Sequence, residues 1–151
     1  MKITEILEQD CVCYPLQAAD KPGVIAELVD VLHAKGHFTD RDMALQAVLA
    51  RERTRSTGIG LGLAVPHGKT PACEELVIAF GVPEIPIEFE SADGRPCRAI
   101  VLLVSPIDKT GPHIQALANV SRLWQIDAFR KALAKAESSA DIYAAITRHE
   151  A

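Results

Sequence analysis

A chain of 151 residues, 48% hydrophobic and 24% charged, has the composition of one globular domain, residues 1–151, that buries about 70% of its unfolded surface. A formal net charge of −4 gives a nucleic-acid partner no electrostatic support, and the longest apolar runs, Leu76–Val82 and Ala99–Val104, are too short to span a bilayer. Four cysteines without C-x-x-C spacing indicate small buried hydrophobes in a reducing cytoplasm rather than a zinc site or a disulfide framework.

The first residues, Met1-Lys-Ile-Thr-Glu-Ile-Leu-Glu8, carry acids within their apolar part and do not form a signal peptide. Ile3 to Leu7 predicts a short helix, followed by a strand around Cys11–Leu16 that places Cys11 and Cys13 on one face. Asp20 then caps a helix with Pro22 in its first turn, an apolar stripe of Val24, Leu28, Val31 and Leu32, and a stop at Gly36. His33 lies on this helix and His37 just past its end. Their spacing is that of a metal pair, but Gly36 interrupts the geometry, so both read as surface or boundary residues. Thr39 is the expected N-cap of a second helix, with Asp42 behind it in an acidic capping-box position. Met43, Leu45, Ala47, Val48 and Leu49 are its expected buried positions. It ends in Arg51-Glu52-Arg53, where arginines complement a helix C-terminus.

Next comes Thr57-Gly-Ile-Gly-Leu-Gly-Leu-Ala-Val-Pro-His67-Gly-Lys-Thr70. Glycines at alternate positions permit backbone conformations and close approaches that a Cβ forbids. Pro66 fixes its own φ and lacks an N–H, so a strand of Leu63 to Val65 should stop there and present His67 at its end. Two nucleotide-binding patterns fail on this stretch. The dinucleotide fingerprint G-x-G-x-x-G/A ends on Leu63 or Val65, and the P-loop pattern preceding Gly68-Lys69-Thr70 would need a glycine where Leu63 stands.

Leu76–Val82 predicts a strand, and the segment through Pro83, Pro86 and Asp93-Gly94 a loop with a tight turn and a short strand at Ile87–Phe89. Cys97–Ser105 reads as an apolar strand covered on both faces. It runs into a loop ending in Gly111-Pro-His113, which opens a helix with Leu117, Val120, Leu123 and Trp124 at helical spacing. Two more helices follow, Asp127 to Ala136 and Ala140 to Arg148, the last capped by Ser138 or Ser139. The predicted class is α/β, a three-layer sandwich with a small mixed β-sheet flanked by helices. His67 and His113 each follow a proline and an apolar strand, and sites in open α/β sheets gather beyond strand ends. With no third ligand and no serine or cysteine nucleophile beside them, the remaining chemistry is histidine itself as nucleophile.

Gly60-x-Gly-Leu-Ala-Val-Pro-His67-Gly68 resembles the phosphorylation signature of the enzyme IIA proteins of the bacterial phosphotransferase system, mannitol/fructose type. Leu49-Ala-Arg51-Glu52 resembles that family's L-x-R-E helix end. Gly111-Pro-His113-Ile-Gln115 resembles the segment with its second active-site histidine, and Asp93-Gly94-Arg-Pro96 the turn of fructose and nitrogen-regulatory members. The resemblance spans almost the whole chain. It implies that His67 accepts a phosphoryl group from the phosphohistidine of the carrier HPr or its nitrogen-branch counterpart. His113 and Arg51 would orient the ring and neutralise the phosphoryl oxygens, with no cofactor and no metal. The group would pass to a cysteine of a IIB domain or serve as a regulatory signal. The implied protein is cytoplasmic, does not insert into a membrane, and is compatible with a homodimer. Leu61 departs from the family, many of whose members carry Asn or another polar residue between the glycines. A non-catalytic interaction module on the same fold is the alternative, and the presence of His67, His113 and Arg51 together speaks against it.

Overall fold

The computed structural model describes residues 2–150. In chain order the elements are β1 (Val12–Cys13), α1 (Lys21–Ala34), α2 (Arg41–Thr54), β2 (Gly58–Gly60), β3 (Leu63–Ala64), β4 (His67–Lys69), β5 (Val77–Gly81), β6 (Ala99–Ser105), α3 (Thr110–Trp124), α4 (Asp127–Lys135) and α5 (Ser139–His149). Short 3-10 turns at Ile3–Glu5 and Gln9–Cys11 precede β1, the first standing where the sequence predicts a helix. The sheet runs β1-β5-β6-β3-β2, with β4 also beside β6. It is mixed: β5 and β2 run antiparallel to β6 and β3, and the other pairings are parallel.

Strand β6 is the centre of this arrangement. Every residue from Ala99 to Ser105 is buried, as a strand covered on both faces requires. Helices α1 and α2 pack on each other and against β5 and β4, while α3, α4 and α5 form a second group against β6 and β1. The α/β three-layer sandwich read from the sequence is therefore the observed architecture. The segment Ile87–Phe89, predicted as a strand, makes only a single bridge from Ile87 to Cys97.

Local chemistry sets the helix boundaries. The Asp20 carboxylate accepts the Gly23 N–H at 2.8 Å, and Gly36 at φ +82° follows the end of α1. The cap of α2 is Asp40, not Thr39: its carboxylate accepts the Met43 N–H at 3.0 Å. Thr39 instead donates its hydroxyl to the Ala72 carbonyl. The buried stripe is Ala44, Leu45, Val48 and Glu52, while Met43 is exposed. The last of these positions is a carboxylate, which has consequences for the site.

The expected strand end at Pro66 is a short interruption within one register. Leu63 and Ala64 lie opposite Ala99 and Ile100, and His67 and Gly68 opposite Leu103 and Val104, with the same offset on both sides. Pro66 removes one N–H, but its carbonyl still accepts the Leu103 N–H at 3.1 Å. The chain thus resumes as β4, and alternation sends His67 and Gly68 to opposite faces of the sheet. On the Gly68 face sits α2. A Cβ on Gly68 would come within 3.1 Å of the backbone at Ala47 and Val48, so any side chain here would push helix and strand apart by a few tenths of an ångström. His67 faces the other way, toward α3.

Candidate active site

The turn leading into the site has three successive residues at positive φ: Gly60 at +100°, Leu61 at +57° and Gly62 at +88°. Two of them are glycines, for which this is inexpensive; Leu61 is not. Its backbone is held from both sides. The Leu61 N–H donates to the Asp93 carboxylate at 3.0 Å and the Leu61 carbonyl accepts the Trp124 indole N–H at 2.9 Å. Asp93, in the Asp93-Gly94 turn, also accepts the Arg95 N–H. The Arg95 and Leu61 N–H groups hold its carboxyl below the ordinary range. The hydrogen bonding at this turn therefore comes from the main chain, and the Leu61 side chain is left exposed.

His67 is half-buried, and its Nδ1 lies 2.8 Å from the Val65 carbonyl oxygen. A carbonyl can only accept, so Nδ1 carries the proton and Nε2 keeps its lone pair. Burial holds the pKa of His67 below the ordinary histidine value; the Val65 carbonyl opposes this and the Arg51 charge adds to it. At neutral pH the ring is therefore uncharged, with its free lone pair on Nε2.

His67 opens onto a pocket of about 750 Å³, whose walls include Arg51, Arg55, Thr57, Leu117 and Ser121. Arg51 comes from the last turn of α2, and its guanidinium donates to the Arg55 carbonyl at 2.9 Å. Its neighbour Glu52 fixes that helix end. The buried Glu52 carboxylate accepts the Thr57 N–H at 2.9 Å, the Thr57 hydroxyl at 2.6 Å and the Lys21 ammonium at 3.0 Å. The two ends of the loop from α2 to β2 are thereby clamped together.

His113 lies in the first turn of α3, buried behind His67, with ring centroids 5.4 Å apart and planes at 65°. Its Nδ1 is 2.7 Å from the hydroxyl of Ser105, the last residue of β6. Burial first, then the charges of His67 and Lys69, hold its pKa down at about 4. The Lys69 ammonium donates to the Thr110 hydroxyl at 2.9 Å, tying β4 to the start of α3.

The structure thus brings His67 and His113 into contact and sets Arg51 on the same pocket as His67. Ser105, Glu52 and Asp93 were not singled out from the sequence as site residues. A lone serine closing an apolar run was the one available signal for Ser105. The Gly68-Lys69 pair lies in a strand with its glycine against α2, so it forms no phosphate-cradling loop. His33 is exposed on α1, and His37, just past its end, is half-buried. His37 joins Glu8 and Cys11 in a group whose ligand atoms lie within 4.8 Å of one another. There His37 Nε2 already pairs with Glu8 at 2.9 Å, and Lys35 covers the other Glu8 oxygen at 3.5 Å.

Known proteins align with this chain along its length. The family profile described as "Phosphoenolpyruvate-dependent sugar phosphotransferase system, EIIA 2" matches residues 5–149. The chain is 36% identical over 150 residues to a PTS system fructose-specific EIIABC component of Bacillus subtilis, covering 99% of this chain but only 24% of that protein. It is 30% identical over 146 residues to a nitrogen regulatory protein of Bradyrhizobium diazoefficiens, covering 97% of this chain and 95% of the relative. Among solved structures, the nitrogen regulatory protein IIA-Ntr of Neisseria meningitidis superposes with a TM-score of 0.88 at 26% identity, over 95% of this chain and 98% of that one. The IIA mannitol protein of Escherichia coli shares the fold, with a TM-score of 0.78 at 20% identity over 92% of this chain and 97% of that one.

Proposed function

The chain belongs to the EIIA 2 family of the phosphoenolpyruvate-dependent sugar phosphotransferase system, and from that premise we propose that it carries a phosphoryl group on Nε2 of His67. The observation that carries this reading is the 2.8 Å contact of His67 Nδ1 with the Val65 carbonyl, which leaves Nε2 as the lone pair on a neutral ring. The donor is the phosphohistidine of HPr or of its nitrogen-branch counterpart. Its N–P bond breaks as a new N–P bond forms to His67 Nε2, and the donor imidazole keeps the electron pair it releases. The donor is already an activated phosphoramidate, so what the site contributes is in-line placement and charge stabilisation. Arg51 supplies a planar cation to the spread charge of the phosphoryl oxygens, and His113 a neutral hydrogen-bond donor. Transfer onward to a cysteine of a IIB domain breaks the N–P bond and forms an S–P bond; a regulatory protein would instead signal with the phosphorylated state.

Incubation with enzyme I, HPr and phosphoenolpyruvate, followed by mass spectrometry, tests the assignment. An acid-labile phosphoryl group is expected on His67, and His67→Ala should accept none. Label recovered chiefly on His113 or on a serine would overturn it. Adding a IIB domain then distinguishes the two outlets, since only a transport component discharges to its cysteine.

A further inference from the structure

Ser105 and His67 lie on the same sheet face. Ser105 is two residues beyond Leu103, which pairs with His67, and lies opposite Lys69. Its side chain is fully buried, and its hydroxyl lies 2.7 Å from Nδ1 of His113. Serine can donate or accept here, so the distance alone leaves two proton arrangements open.

Burial separates them. If Nδ1 of His113 carried its proton and donated to Ser105, the hydroxyl would need a second acceptor for its own proton. Among the described residues that hydroxyl has no other hydrogen bond, and Ser105 is fully buried. A buried donor without a partner is strongly disfavoured. If Ser105 donates to Nδ1, its proton is satisfied and the ring proton resides on Nε2. Among the described residues that nitrogen makes no hydrogen bond and yet is not a sealed, unsatisfied atom, so it can reach solvent or a ligand.

We propose that Ser105 is a positioning residue that holds His113 as its Nε2–H tautomer and so makes it an obligate donor at the edge away from β6. The two histidines are then fixed in opposite tautomers by different partners. His67 is protonated on Nδ1 by virtue of the Val65 carbonyl and attacks through Nε2. His113 is unprotonated on Nδ1 by virtue of Ser105 and donates through Nε2. A neutral donor suits a group that must be accepted and released, because it holds the phosphoryl oxygens without the grip of a full ion pair. The kinetic consequence rests on the phosphoryl-carrier reading above; the tautomer does not.

The test therefore has two arms. In the first, 15N–1H correlation spectra of the unphosphorylated protein near pH 7 read the tautomer. Wild type should give the Nε2–H pattern for His113 and the Nδ1–H pattern for His67. Ser105→Ala should leave His67 unchanged and turn His113 into a mixture. A Nδ1–H pattern for His113 in wild type, or an unchanged pattern in Ser105→Ala, would overturn the proposal. In the second arm, single-turnover transfer from phospho-HPr should be slowed roughly five- to tenfold by Ser105→Ala, the effect of one neutral hydrogen bond. It should be slowed no further when Ser105→Ala is added to His113→Ala. Additive losses in the double variant would mean that Ser105 acts elsewhere. Absence of any phosphoryl transfer to wild type would sink the carrier reading while the spectra still decide the tautomer.

Discussion

His113 stands at about 4 in the folded protein against about 6.5 for a free histidine, and the difference makes stability depend on pH in a defined window. The cause is burial, with the charges of His67 and Lys69 adding to it. Because the folded value is depressed, the neutral ring's contribution is fully present above pH 6.5 and is lost as pH falls toward 4. Between these limits the unfolded chain binds a proton that the folded one refuses, so acid favours unfolding. Linkage puts the loss from this one residue at roughly 1 kcal/mol by pH 5.5 and roughly 2–3 kcal/mol by pH 4.5. Carboxylates add their own slope in the same range, so the quantity to measure is a difference. Urea unfolding of wild type and His113→Gln should be compared at about pH 7.5, 5.5 and 4.5, since glutamine fills similar space and does not titrate. Wild type should lose stability relative to the variant by the amounts above on acidification. A difference that stays flat to within about 0.5 kcal/mol would refute the claim that His113 is kept neutral by its surroundings.

Three further outcomes follow from the same geometry. Gly68→Ala should destabilise the fold by about 1–3 kcal/mol in urea unfolding, because the new methyl meets the backbone of α2 at 3.1 Å; Gly111→Ala, whose methyl meets nothing within 4 Å, is the matched control and should not. Arg51→Ala should still be phosphorylated but about 100–1,000-fold more slowly in single-turnover transfer, with circular dichroism unchanged. Leu61→Asn should raise the midpoint of thermal unfolding by an amount equivalent to about 0.5–1 kcal/mol, since asparagine tolerates φ +57° better than leucine and both backbone hydrogen bonds are retained.

The layers of this fold were legible because its elements follow apolar periodicity. The seven residues of β6 are all buried, as the uninterrupted apolar run Ala99–Val104 suggested. The break at Pro66 was legible as a break but not as a resumed strand. Proline's missing N–H is visible in the sequence, whereas the Leu103 N–H that pairs with its carbonyl belongs to a strand far along the chain. Ser105 escaped notice for a similar reason. Its contact with His113 depends on how the loop after β6 returns α3 over the sheet, and a hydroxyl at the end of an apolar strand reads as a terminus signal. What hydrophobic pattern encodes is which face is buried; which polar atoms then meet inside depends on loop geometry that the pattern does not carry.

The charged end of α2 makes the same point in three consecutive residues. Helix-dipole complementarity treats Arg51 and Arg53 alike, and solvation accounts for all of Arg51-Glu52-Arg53 equally well. The fold separates them. Arg53 is exposed, Arg51 lines the pocket beside His67, and Glu52 lies on the buried stripe of the helix. An ionised carboxylate is tolerated at that depth only because the Thr57 N–H, the Thr57 hydroxyl and the Lys21 ammonium all donate to it. Those donors come from the start of the glycine stretch and from the first turn of α1, so Glu52 locks the end of α2 to the strand system that carries His67. The placement of Arg51 on the site is thus set by its neighbour's need for hydrogen bonds. The adjacency of a buried acid and a pocket-lining base is the physical content of the Leu49-Ala-Arg51-Glu52 pattern.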